Sequence, residues 1–128
     1  MNTLFYILRF PILVFVVNVV LDWGGIYVAF PWIDMPMHFA GGASIGLAGV
    51  SFLVFLQKQG IVVSLPFFLQ VFFIMSFVGL AAASWELWEF STDIVFNRHL
   101  QGDLFDTMAD MFFGLLGGFA LSILRRIR

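Results

Sequence analysis

Residues 64–90 read SLPFFLQVFFIMSFVGLAAASWELWEF. After Ser64 the run is apolar but for Gln70 and Ser76 until it reaches Ser84-Trp85-Glu86-Leu87-Trp88-Glu89, where two carboxylates stand one helical turn apart. At ~1.5 Å per residue it is long enough to cross a ~30 Å hydrocarbon layer as a helix. Ending near Phe90, that helix places Glu86 and Glu89 at its C-terminus, where the backbone dipole disfavours negative charge. Acids that deep in an apolar run are also costly to desolvate, and such residues mark function. A cation or a shared proton has to offset them.

The rest of the composition agrees with lipid as the solvent. The 128 residues are 62% hydrophobic and 11% charged, and mean hydropathy is +1.03, whereas a soluble domain is about half apolar and about a quarter charged. The length suits one domain. With no cysteine there is no disulfide framework, thiolate metal site or thiol nucleophile. A net charge of −2 offers no basic surface for nucleic acid.

Three further apolar runs flank the central one. The first covers roughly residues 3–21; without a small-x-small cleavage site it reads as a retained span rather than a signal peptide. Asn18 inside it suits a helix–helix hydrogen bond. The second covers 35–57, with Pro36 in its first turn, a position that tolerates proline. Gly42, Gly46 and Gly49 with Ala43, Ser44 and Ala48 give this helix a small face, which lets backbones approach closely in lipid. The fourth covers 104–124, opened by Asp103-Leu104-Phe105-Asp106 and carrying Gly114 and Gly118 as a small-x-x-x-small pair. The expected fold is therefore all-α: a polytopic membrane protein with four transmembrane helices in a bundle, residues 1–128 forming one domain.

Lysine and arginine set the orientation. The N-terminus, the Lys58 turn and the C-terminus share one side, which holds Arg9, Lys58, Arg125, Arg126 and Arg128; the other side has only Arg98. The positive-inside rule makes the first side, with both termini, cytoplasmic. Trp23, Trp32, Trp85 and Trp88 then form an aromatic belt at the outer face, and all eight carboxylates lie on that face.

The acids fall on helix faces. Asp34 and His38 are i, i+4; Glu86 and Glu89 are i, i+3; Asp103, Asp106 and Asp110 are i, i+3, i+7. Some have plainer explanations. Asp103 and Asp106 suit a helix N-cap and its first-turn acid, and Asp34 also suits a cap. Asp93 reads as a solvated loop acid and His99 as a loop histidine. Capping does not account for Asp110, two turns in, nor for Glu86 and Glu89. Several carboxylates with one imidazole and no thiolate suit Mg²⁺, Mn²⁺, Ca²⁺ or Zn²⁺. The expected metal ligands are Glu86, Glu89, Asp106, Asp110 and Asp103, with His38 as a ligand or catalytic acid/base oriented by Asp34.

Trp85-Glu86-x-x-Glu89, Gln101-Gly102-Asp103-x-x-Asp106-Thr107-x-x-Asp110-Met111 and the upstream Asp34-x-x-x-His38 together resemble the YjdF-like bacterial inner-membrane proteins over roughly residues 33–118. The resemblance implies an inner-membrane location and assigns no activity. More distantly the pattern is similar to the VanZ-like family, linked to glycopeptide resistance, which has Asp-x-x-x-His, Glu-x-x-Gln and an Arg before Asp-x-x-x-Asn. Here Glu89 stands where Gln would be, Asp110 where Asn would be, and no Arg closely precedes Asp106, so the site is more acidic.

Three functions fit. The first is a divalent-metal protein that acts on lipid-linked phosphate or another lipid headgroup. The second is a subunit of a cation- or proton-coupled transporter, although the cytoplasmic halves offer few polar residues to continue a path unless an oligomer supplies them. The third is a structural membrane protein whose acids bind a basic partner.

Overall fold

The computed structural model describes residues 3–125; Arg126 and Arg128 of the basic tail lie outside that range. Every regular element among the described residues is helical. They are α1 (Thr3–Trp23), α2 (Ile26–Ala29), α3 (Asp34–Lys58), α4 (Phe67–Phe96) and α5 (Leu104–Leu124), with a 3₁₀ turn at Pro31–Ile33 leading into α3. Four of these are long and apolar enough to cross a membrane, the second counted from Pro31 to Lys58. Their outward faces are large and apolar. Along α4, Phe68, Phe72, Leu80 and Leu87 are all exposed, as expected where lipid tails replace water.

Helix α3 is the centre of the bundle, packing on α1, α4 and α5. Its closest partner is α5, and the reason is steric. A Cβ on Gly42 would lie 1.7 Å from the Gly114 carbonyl oxygen, and one on Gly117 would lie 2.0 Å from the Phe39 carbonyl oxygen. Only glycine hydrogens fit between these backbones. In lipid, helices gain little from hiding apolar surface from one another, so close van der Waals contact of this kind holds them together. Below the contact, Val50, Ile74 and Val78 form a small core joined by Ile45, Phe73 and Leu115. Several polar groups in the spans bond locally: Gln70 Nε2 donates to the Leu65 carbonyl, and the Ser44 and Ser122 hydroxyls donate to the carbonyls of Gly41 and Phe119, all at 2.8 Å.

Helix α1 is the looser member. Of its residues only Ile7 is fully buried. It continues through Pro11, and the Arg9 guanidinium covers the Tyr6 ring at 4.3 Å and the Phe10 ring at 4.8 Å, which shields its charge. Asn18 does not bond to a neighbouring span. It accepts a hydrogen bond from the Tyr27 hydroxyl of α2, tying the first connector back onto α1. Burial there raises the Tyr27 phenol above its ordinary range, and the nearby Asp34 and Asp22 act the same way.

The turn after α3 puts Gly60 at φ 70, a left-handed conformation that glycine takes without strain. Helix α4 does not stop near Phe90. It runs to Phe96 and is closed by Asn97 in the left-handed region (φ 51). Glu86 and Glu89 therefore sit inside the helix, two turns or more from its end, and the dipole argument against them is weaker than expected.

Candidate functional site

The C-terminal ends of α1 and α4 and the N-terminal ends of α3 and α5 meet at one end of the bundle, where Arg98 of the connector after α4 pairs with Asp22 in the last turn of α1 at 3.1 Å. His38 lies one turn into α3, facing both Asp34 on its own helix and Asp110 on α5. Its Nε2 is 3.5 Å from Asp34 Oδ1 and 3.7 Å from Asp110 Oδ2. The three ligating atoms lie within 4.8 Å of one another. The α3–α5 glycine contact produces this meeting: Gly42 is one turn below His38 and Gly114 one turn below Asp110, so the contact that joins the backbones sets the distance between the two side chains.

Asp110 is 3% exposed and Glu86 is 7% exposed. Each has a buried carboxylate oxygen without a hydrogen-bond partner, Oδ1 of Asp110 and Oε2 of Glu86. An unpaired carboxylate oxygen away from water costs several kcal/mol as an order of magnitude, so such atoms call for a cation or a proton. The two residues belong to one electrostatic cluster: the charged neighbours of Asp110 are His38, Asp34, Asp106 and Glu86. Gln101 and Thr107 approach the Glu86 carboxyl, and the Gln101 amide donates to the Thr107 hydroxyl at 3.3 Å. Both lie in the second acidic motif, and Thr107 shares a helix face with Asp110; that spacing was the available signal for a place at the site.

The other acids are engaged elsewhere. Asp103 is exposed and caps α5, its Oδ1 accepting from the Asp106 N–H at 3.0 Å. The Asp106 carboxylate folds back against Gly102, as in a reciprocal helix-start cap. Glu89 accepts from the Trp85 indole N–H at 2.8 Å, with Glu86, His38 and Asp34 as its charged neighbours. Asp93 is not a solvated loop acid: it lies within α4, and its two oxygens accept from the Leu100 and Gln101 N–H groups at 2.8 and 2.9 Å, folding the connector onto the site. His99 is exposed in that connector. Asp34 opens α3 without capping it and turns its carboxylate to His38.

The donor set can be tested against a cation. Oxygen and nitrogen ligands at ~2.1 Å from a metal lie ~3.0–3.4 Å from one another. The His38 distances of 3.5 and 3.7 Å are close to this range, while the widest separation in the set, at most 4.8 Å, needs the carboxylates to turn inward. An imidazole with carboxylates and no thiolate suits Mn²⁺ or Zn²⁺ and accommodates Mg²⁺ or Ca²⁺. Without a cation, a protonated His38 would pair with both aspartates.

Beneath His38 a cavity of 370 Å³ extends between α1, α3 and α4. Trp85 lines it, and its ring meets Phe15 of α1 edge to face with centroids 6.2 Å apart.

No curated protein and no solved structure matches the chain. The VanZ-like similarity rests on motif spacing alone. A family of predicted membrane proteins does match, over residues 1–128, and the four apolar helices agree with its description. The chain belongs to that family, DUF2238.

Proposed function

We propose that this protein is a membrane metalloprotein in which Asp34, His38 and Asp110, with Glu86 alongside, hold one divalent cation that engages the phosphate or other polar head of a membrane lipid. The observation that carries the reading is the grouping of Asp34, His38 and Asp110 ligating atoms within 4.8 Å of one another, with buried, unpartnered oxygens on Asp110 and on Glu86 of the same acidic cluster. A divalent ion there would offset the buried carboxylate charge and offer an open coordination position to a phosphate oxygen or a water. Asp103, Asp106 and Glu89 are then supports around the site: they hold the start of α5 and orient Trp85. The YjdF-like resemblance, the excess of Lys and Arg at the opposite end and the tryptophans at this one support an inner-membrane location with both termini cytoplasmic and the site near the outer face.

The test is elemental analysis and Mn²⁺ titration, followed by electron paramagnetic resonance, on protein purified with metals supplied. About one equivalent is expected, with affinity lowered at least ~10-fold in Asp110→Asn and in Glu86→Gln. Absence of metal under saturating supply, in folded protein, refutes the reading. A proton or cation conduit is the second reading, favoured by the position of His38 Nε2 between two carboxylates. It requires ion flux in proteoliposomes that disappears in His38→Gln.

A further inference from the structure

We infer that the cavity beneath His38 is a binding slot for a single hydrocarbon chain of a membrane lipid. Leu8 and Phe15 of α1, Gly41 and Ile45 of α3, and Ala81 and Trp85 of α4 form its wall. Its depth from His38 to Ile45 is ~10 Å at ~1.5 Å per residue, so it runs from the acidic site toward the middle of the bundle. At 370 Å³ it has the size of a ligand site, far above the gaps of a packed interior.

Three occupants compete, and the lining and the volume favour one of them. Water needs polar partners. The lining offers few: of its side chains only Asn18, His38, Ser44 and Trp85 carry polar atoms, and Asn18, Ser44 and Trp85 already bond to Tyr27, Gly41 and Glu89. A helix from a second copy is ~10 Å across with its side chains and does not fit so small a volume. A hydrocarbon chain does fit, and the slot lies wholly within the apolar helices, where lipid is the surrounding medium. Entry lies between α1 and α4, whose backbones do not pack closely and whose Phe15 and Trp85 rings meet edge to face. A chain seated here brings its headgroup to Asp34, His38 and Asp110; only that last step rests on the cation reading.

Gly41 allows a clean block. Gly41 lines the slot and a Cβ there meets nothing within 4 Å, so Gly41→Leu is the blocking variant. The full chain, with Trp23→Phe, Trp32→Phe and Trp88→Phe so that Trp85 alone reports, is placed in nanodiscs containing phospholipid brominated on its acyl chains. Strong quenching of Trp85 is expected, with most of it lost in Gly41→Leu and again in Ala81→Leu, while Mn²⁺ binding persists in both. Equal quenching in open and filled proteins means that Trp85 senses only surrounding lipid and overturns the slot, as does absence of quenching in the open protein. Quenching that depends on the open slot in a protein that binds no Mn²⁺ supports the slot and overturns the cation reading instead.

Discussion

Gly42→Ala should separate fold from site most sharply. The added methyl would lie 1.7 Å from the Gly114 carbonyl oxygen, against a normal contact beginning at 3.4 Å. Neither atom belongs to a flexible side chain, so α3 and α5 must part by about 1.7 Å at this level (3.4 less 1.7 Å), an overpacking strain of ~1–3 kcal/mol or more. Alanine's better helix propensity returns at most ~1 kcal/mol. The same displacement acts one turn above, on the 3.7 Å separation of His38 and Asp110. The variant should unfold at lower denaturant in SDS titrations in mixed micelles and bind Mn²⁺ at least ~10-fold more weakly, as expected for a displaced ligand. Gly41→Ala is the control: its methyl meets open space, so stability should hold or rise by up to ~1 kcal/mol. If Gly42→Ala is as stable as the parent and keeps its metal affinity, the backbone contact does not set the site, and the steric reasoning fails.

Asp103→Ala removes the cap on the Asp106 N–H and should lower stability by ~1 kcal/mol while leaving Mn²⁺ affinity near that of the parent; a metal loss as large as that of Asp110→Asn would make Asp103 a ligand. Trp85→Phe removes the indole hydrogen bond donated to Glu89 and should cost ~1–2 kcal/mol in the same SDS titration; unchanged unfolding would show that Glu89 finds another donor. Metal binding should weaken as pH falls and recover as it rises, because carboxylates and imidazole ligate only when deprotonated; isothermal titration at two pH values showing the opposite trend would exclude this ligand set.

Much of the site's neighbourhood follows from spacing. Asp34 and His38 at i, i+4, and Asp106 and Asp110 at i, i+4 on another helix, fall at the same end of the bundle because alternate spans run in opposite directions. The place where α4 ends did not follow. Ser91-Thr92-Asp93 looks like a polar connector, yet Ser91 donates to its own helix at Leu87 (2.6 Å) and Asp93 binds the connector's N–H groups. Those bonds let the helix continue past polar residues to Asn97. Asp93 thus appeared solvated in one dimension and is structural in three.

Composition and periodicity alone determined that the chain lives in lipid, that it has four long helices, and that its acids gather at one end. These follow from transfer energies and helical repeat, which are local properties of the chain. Which acids meet was decided only by packing. Two glycine faces on α3 and α5 lock into one register, and that register puts Asp110 against His38 while leaving Asp103 and Asp106 to close their own helix start. No one-dimensional spacing encodes the relative rotation of two helices, because that rotation is set by which backbones can touch.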